Sequence, residues 1–384
     1  MTCPEENSIF YDVLKLLTTD GFNGMGEAVR CLINEAMRLE RQGYLGVGPY
    51  ERSEDRQGYA NGYKSKTVKT RIGELKLAVP QVRDGGFYPS SLDKGIRSER
   101  ALKLALAEMY VQGVSTRRVA QITEQLCGFE VTSSQVSRAA HELDSVLEQW
   151  RNRPLVAYPY VYLDARYEKI RNNGAVVSSA VLIAIGVSET GTRQILGTSV
   201  ALSEQEAHWR DFLKQLQARG LHGVKLIISD AHEGLSAARR AVFPSIPWQR
   251  CQFHLQQNAQ SYVPKQEMKK AVAADIRNIF NAPSEEDAKR LLSQFLERYE
   301  KSAPRLVAWV EENLQEGFSV FQFPAEHWRR IRTSNVLERV NKEIRRRTRV
   351  ASIFPNEASC LRLVSAVLME ISEDWETGKV YLKI

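Results

Sequence analysis

The chain has 384 residues, of which 43% are hydrophobic and 26% charged, the composition of an ordinary globular protein. No large part is too polar to fold, and at roughly 100–200 residues per domain the length suggests two or three domains. A formal charge of +7 favours a polyanionic partner. The five cysteines are odd in number, far apart and without a Cys-x-x-Cys pair, which excludes a disulfide framework and a four-ligand zinc site.

In chain order, residues 9–42 carry apolar side chains at three-to-four spacing, broken near Gly21–Gly26, and predict a helical pair. A glycine- and tyrosine-punctuated stretch follows, with Arg52, Arg56, Tyr59, Asn61, Tyr63 and Lys64. Interleaved aromatic and basic groups can stack on bases and pair with phosphates, and the same mixture also occurs in plain surface loops. Lys66–Ile72 and Glu74–Val79 alternate like two strands joined at Gly73 and ended by Pro80.

Helical periodicity resumes near Ser98. Ser115 or Thr116 can cap a helix carrying Val119 and Ile122, and after a turn at Gly128 Ser133 can cap a second one carrying Val136 and Ala140. Two such helices fit a helix-turn-helix that would present Ser134, Gln135, Ser137 and Arg138 to DNA, with Arg117 and Arg118 nearby, or an ordinary helical hairpin.

Past Pro154 and Pro159 strand character dominates. Val161–Asp164 is an apolar run ending on an acid, Ala175–Val187 and Arg193–Leu202 are β-rich, Glu204–Arg219 is an amphipathic helix, and Val224–Ser229 is apolar and ends on Asp230. This order matches an RNase H-like mixed sheet flanked by helices, within an α/β fold class; a nucleotide-binding fold would carry a glycine-rich phosphate loop. Pro247–Phe253 offers a fifth strand, residues 255–316 read as helical, and a last helix begins near Ser334. Between Arg329 and Arg349 nine Lys or Arg residues stand against two Glu, the density of a phosphate-contacting surface.

The expected division is 1–45, a helical region suited to dimerisation; 46–97, a basic Gly/Tyr-rich segment with a small hairpin; and 98–152, the helix-turn-helix. The catalytic core would span 153–254 and 326–384, with an all-α insertion at 255–325. No basic leader precedes an apolar run and no stretch of about 18 uncharged apolar residues occurs, so a cytoplasmic, nucleoid-associated protein without membrane contact is expected.

Asp164 and Asp230 each follow an apolar run, where Asp is also common for turn chemistry. Glu338 lies among Arg329, Arg330, Arg332, Arg339, Lys342 and Arg345, and it could equally close a capping pair with Asn335. Three carboxylates can hold two divalent ions about 3.5–4 Å apart for an in-line phosphoryl displacement. Oxygen donors select Mg²⁺, or Mn²⁺ in its place, over zinc. Cys251 and His254 form a Cys-x-x-His pair without the further ligands zinc needs.

The chain resembles the mutator-type transposases of bacterial insertion sequences over nearly its whole length. The likeness rests on Gly58–Tyr63, Pro80–Asp84, Phe87–Pro89, Gly113–Arg118 and Ser134–Ser137 in the first half. In the second half it rests on Leu163–Ala165, Ser229–Leu235, Arg250–His254 and Thr333–Arg347. The resemblance implies that Asp164, Asp230 and Glu338 are a D-D-E catalytic and metal-binding triad, with His232, Cys251 and His254 in support. Packing remains the alternative for Cys251. It also implies binding of double-stranded terminal inverted repeats and target DNA, a homodimer on DNA, and transposition through a circular intermediate. Arg339, Lys342, Arg345 and Arg346 join the expected DNA contacts. An inactive transposase-derived regulator and a structure-selective nuclease are the rival functions.

Overall fold

The computed structural model describes residues 8–384 apart from positions 52, 55, 84, 85 and 96. The expected DNA contact Arg52 therefore lies outside the described residues, as does Asp84 of the Pro80–Asp84 motif. The chain forms two compact units, Met1–Glu142 and Leu143–Ile384.

In the first unit α1 (Ser8–Asp20) and α2 (Met25–Leu45) are joined by a 3₁₀ turn, and Gly46, at φ 68°, ends α2 in the left-handed conformation that glycine adopts without strain. An antiparallel hairpin of β1 (Ala60–Thr70) and β2 (Gly73–Val82) packs Val68, Leu75, Leu77 and Val79 against Met37 of α2. Strand β1 starts well before the expected Lys66 and stops at Thr70, short of Ile72, while β2 runs past both its expected limits. Residues 60–65 are exposed on both faces, so no apolar alternation marks the start of β1. Pro80 pairs with Tyr63 inside β2, because in a two-stranded ribbon each strand has a free edge that needs no N–H there.

Three helices follow: α3 (Arg100–Val111), α4 (Thr116–Cys127) and α5 (Ser133–His141), around Leu102, Leu106, Val119, Phe129 and Val136. Ser115 caps α4 by accepting the Arg118 N–H at 3.2 Å. The cap of α5 is Thr132 rather than Ser133. Thr132 has the extended backbone of an N-cap, and a capping box ties its Oγ1 to the Gln135 N–H at 3.3 Å and its N–H to Gln135 Oε1 at 2.9 Å.

The second unit opens with α6 (Asp144–Arg151) and builds a five-stranded mixed sheet from β3 (Tyr160–Asn172), β4 (Ala175–Val187), β5 (Arg193–Ala201), β6 (Leu226–Ser229) and β7 (Trp248–Arg250), in the order β5-β4-β3-β6-β7. The first three strands are antiparallel, while β6 and β7 run parallel to β3. Helices α7 (Glu206–Ala218) and α8 (Glu233–Val242) cover one face through Trp209, Phe212, Leu213, Leu235 and Ala238, over Leu163, Leu182, Ala184 and Leu196.

Next come α9 (Gln252–Ala259), α10 (Lys269–Phe280), α11 (Glu285–Tyr299) and α12 (Pro304–Asn313), which enclose a core of their own around Ile276, Leu292, Phe295 and Leu306. Residues 314–317 return this helical segment to the sheet, where Gln249 and Gln252 donate to the Gly317 carbonyl at 2.9 and 2.8 Å. Three further helices close the unit: α13 (Ala325–Ile331), α14 (Asn335–Thr348) and α15 (Glu357–Glu376). Among the described residues no helix is long and apolar enough to cross a membrane.

Candidate active site

Asp164 does not end its strand, because β3 continues to Asn172 paired with β4. Its apolar run stops there for another reason. The parallel neighbour β6 pairs only with Tyr160–Tyr162 of β3. Beyond that point β3 has no β6 beside it until Phe354 bridges to Lys169 and Arg171, and its side chains there are less buried. Two residues on from the Tyr162–Ile228 pair the register reaches Asp164 on β3 and Asp230 just past β6. Neighbouring strands lie about 4.8 Å apart, so parallel pairing alone puts the two acids side by side.

Glu338 comes from α14. The N-cap of that helix is Ser334, which makes no side-chain cap bond, so the alternative of an Asn335–Glu338 capping pair is not what the helix uses. Positions 338, 341, 342, 345 and 349 share one helix face, and that face lines a cleft of about 1280 Å³ together with Asp164, Asp230 and His254. The opposite face buries Leu337, Val340 and Ile344. The start of α14 is held to the sheet by the Ser334 N–H donating to Cys251 Sγ at 3.4 Å and the Gln252 N–H donating to the Arg332 carbonyl at 3.0 Å. The Cys251 N–H in turn donates to the Ser229 carbonyl at 2.9 Å. Cys251 is thus a fully buried splice between the strand preceding Asp230 and the helix carrying Glu338.

Burial pushes the Asp164 carboxyl up to about 6, against hydrogen bonds from the Ala165 N–H at 2.9 Å and Asn341 Nδ2 at 2.7 Å that favour its ionised form. His254 Nδ1 lies 3.7 Å from Asp230 Oδ2. The hydrogen bond with Cys251 is the main cause that raises His254 to about 9, helped by the charges of Cys251, Asp230 and Glu338 against its own burial. Burial acts to raise the Cys251 thiol, but hydrogen bonds with His254 and Ser334 outweigh it and hold the thiol below its ordinary value. The His254 imidazole therefore stands at the Asp230 edge of the cleft.

Other expected residues lie elsewhere. His232 faces Glu204 at 3.6 Å in an adjacent depression and is absent from the cleft lining. Within the basic run, Lys342, Arg345 and Arg349 line the cleft, while Arg347 is buried against Glu343 and Glu370. Arg346 also reaches the lining but pairs with Glu343 at 2.6 Å. Arg339 is exposed on α14 outside the lining.

In the first unit Tyr59, Asn61, Tyr63 and Lys64 are exposed, with Arg56 over the Tyr59 ring at 5.0 Å and Arg41 over Tyr63 at 4.6 Å. Arg117, Arg118, Ser134 and Arg138 are exposed, whereas the Gln135 side chain is used by its own helix cap. Asn341 also lines the cleft, one turn after Glu338, and nothing in its charge or residue type marks it in the sequence.

Three oxygen donors of carboxylate type suit Mg²⁺ or Mn²⁺. Asp164, a half-buried carboxylate that forms no ion pair among the described residues, also suits a cation. Among the described residues no group of three His, Cys, Asp or Glu side chains already stands close enough to hold an ion. The donor chemistry fits; closing around an ion would require the carboxylates to draw together.

An α/β unit that gathers three acids and a cationic helix along one cleft defines a protein suited to a phosphodiester substrate. Residues 9–378 match the family model described as Transposase, Mutator family, and the chain belongs to that family. It is 58% identical to the transposase for insertion sequence element IS406 of Burkholderia multivorans, over 95% of each chain. It is 42% identical to that for ISRM5 of Rhizobium meliloti, over 94% of this chain and 91% of the relative. It is 37% identical to that for IS256 in transposon Tn4001 of Staphylococcus aureus, over 90% and 89%.

Proposed function

We propose that the protein is a DNA transposase that binds the terminal inverted repeats of an insertion sequence and cleaves and joins strands at the Asp164–Asp230–Glu338 cleft. The observation that carries this reading is the convergence of the three acids, from β3, the end of β6 and α14, on one cleft floored by cations. The sheet order, with its first three strands antiparallel and the next two parallel, supports an RNase H-like core. The capped pair α4 and α5 supports a helix-turn-helix. Family membership supports action on transposon ends, a homodimer on DNA, a circular intermediate and a cytoplasmic site of action near the nucleoid.

Asp164, Asp230 and Glu338 would hold Mg²⁺, which supplies charge neutralisation at the scissile phosphate and a more acidic attacking oxygen. The chain's own groups do the rest. Lys342, Arg345 and Arg349 take the flanking phosphates along the α14 face, where a cation contributes affinity without reading sequence. His254, 3.7 Å from Asp230, places an imidazole at that edge of the cleft.

The test is strand transfer of a pre-cleaved inverted-repeat end with a free 3′-hydroxyl, in Mg²⁺. Asp164→Asn, Asp230→Asn and Glu338→Gln should each reduce joining to background while leaving end binding largely intact. Joining retained by any of the three removes that residue from the site. Cleavage without joining by the parent protein would make it a nuclease, and end binding without either reaction would make it a regulator.

A further inference from the structure

We infer that Asn341 is a positioning residue that sets the Asp164 carboxylate for ion binding; the inference rests on the reading above. Glu338 and Asp164 share no stretch of backbone, since one arrives on α14 and the other on β3, so their relative placement must be held by contacts between these elements. Asn341, one turn beyond Glu338, supplies such a contact by donating Nδ2–H to Asp164 Oδ2 at 2.7 Å. The other carboxylate oxygen takes the Ala165 N–H at 2.9 Å. With one donor on each oxygen the carboxylate cannot turn freely, yet each oxygen keeps lone-pair capacity for a cation.

The amide is itself anchored. Arg166 of β3 donates to the Asn341 main-chain carbonyl, and its guanidinium pairs with Glu168 at 2.6 Å. Glu168 also accepts from Thr348 Oγ1 at 3.0 Å, which ties the far end of α14 to the same strand. Packing alone does not account for an asparagine here. Asn341 Oδ1 is buried and takes no hydrogen bond among the described residues, a cost that an apolar side chain of similar shape would avoid. What an apolar side chain would lose is the donor to Asp164. Polar partners that orient ligating carboxylates act on ion affinity rather than on the fold.

The experiment uses the full chain and two readouts. One is the stabilisation against thermal unfolding as MgCl₂ is raised; the other is the Mg²⁺ concentration for half-maximal strand transfer of a pre-cleaved end. Asn341→Ala should raise both midpoints by about 10–100-fold, the usual cost of removing a group that orients a metal ligand, with inverted-repeat binding retained. Asn341→His, whose Nδ1–H can occupy the place of the amide N–H, should recover most of the loss. Should the alanine variant lose its secondary structure, Asn341→Leu, which keeps the branched side-chain shape, carries the same expectation.

Midpoints that superpose on those of the parent protein would overturn the inference, as would equal impairment in the alanine and histidine variants. The reading beneath it fails differently. A parent protein with no Mg²⁺ response, or Asp164→Asn with an unchanged one, would remove the ion site itself, whereas a site lost in Asp164→Asn but untouched in Asn341→Ala would remove only the role of Asn341.

Discussion

At the scale of single residues, Asp164 is where fold and chemistry oppose each other. Its carboxyl is held near 6 by burial, above the ordinary 3.8. For a group raised on folding, the stabilising contribution is complete below the unfolded value and is lost as pH rises through the folded one. Between pH 4 and pH 7 the ion-free protein should therefore lose on the order of 3 kcal/mol at this residue. Asp164→Asn should abolish that loss, since the new amide carries no charge and can still accept from Asn341. The expectation is a variant more stable than the parent at pH 7.5 in a chelator, with the gap closing toward pH 4. Mg²⁺ should then stabilise the parent and leave the variant unmoved. Chemical denaturation at several pH values checks this, and parallel curves for the two proteins would sink it.

At the scale of elements, α14 divides its work between two faces, and its basic run divides with it. Arg347 keeps only 5% of its side-chain surface; it donates to Glu343 of its own helix at 2.9 Å and joins α14 to α15 by donating to Glu370 at 3.2 Å. Arg345 projects from the cleft face. Arg347→Met should cost about 1–3 kcal/mol, less than for a fully buried pair, because Glu343 keeps Arg346 and Glu370 stays partly solvated. Arg345→Ala should weaken DNA binding at little cost in stability. Urea unfolding and DNA titration of both variants separate the roles, and an Arg345→Ala as unstable as Arg347→Met would contradict the assignment.

The same helix shows how far the sequence could be read. A run of nine cations is visible as density, but which of them faces the cleft depends on contacts with α15, an element the charge pattern does not signal. Strand β4 was legible from Ala175 to Val187 because its residues are β-rich and uncharged throughout, and from Ser179 on burial of both faces leaves an almost continuous apolar run. The far half of β3 was not, since past β6 its residues are mostly half-buried or exposed and polar, and read like loop. The two aspartates were legible by placement. Asn341 was not, because an amide on a helix has neither a period nor a charge to mark it.

At the scale of the whole molecule, the net charge is unevenly shared. Residues 1–142 carry 19 Lys and Arg against 18 Asp and Glu, while 143–384 carry 34 against 28, so the excess belongs to the unit with the acid-lined cleft. If end binding by the first unit depended on bulk charge it would be weak; local arrangement has to supply it. In that unit Lys94, Arg97, Arg100 and Arg138 line a depression of about 640 Å³ beside α5, with Asp93 and Glu142 as the acids of the lining. Each phosphate contact releases condensed counterions, so the slope of log affinity against log salt counts contacts whatever the sequence read. Reversing Lys94, Arg97 and Arg100 one at a time to Glu should lower that slope by about one each on inverted-repeat DNA. Random duplex of the same length should weaken in parallel, because phosphate contacts carry no sequence information. Measurement by fluorescence anisotropy from 50 to 300 mM salt, on the order used to resolve such slopes, decides the point. An unchanged slope in all three variants would place the contacts of the first unit elsewhere, with the exposed β1 residues Asn61 and Lys64 next to be reversed or removed.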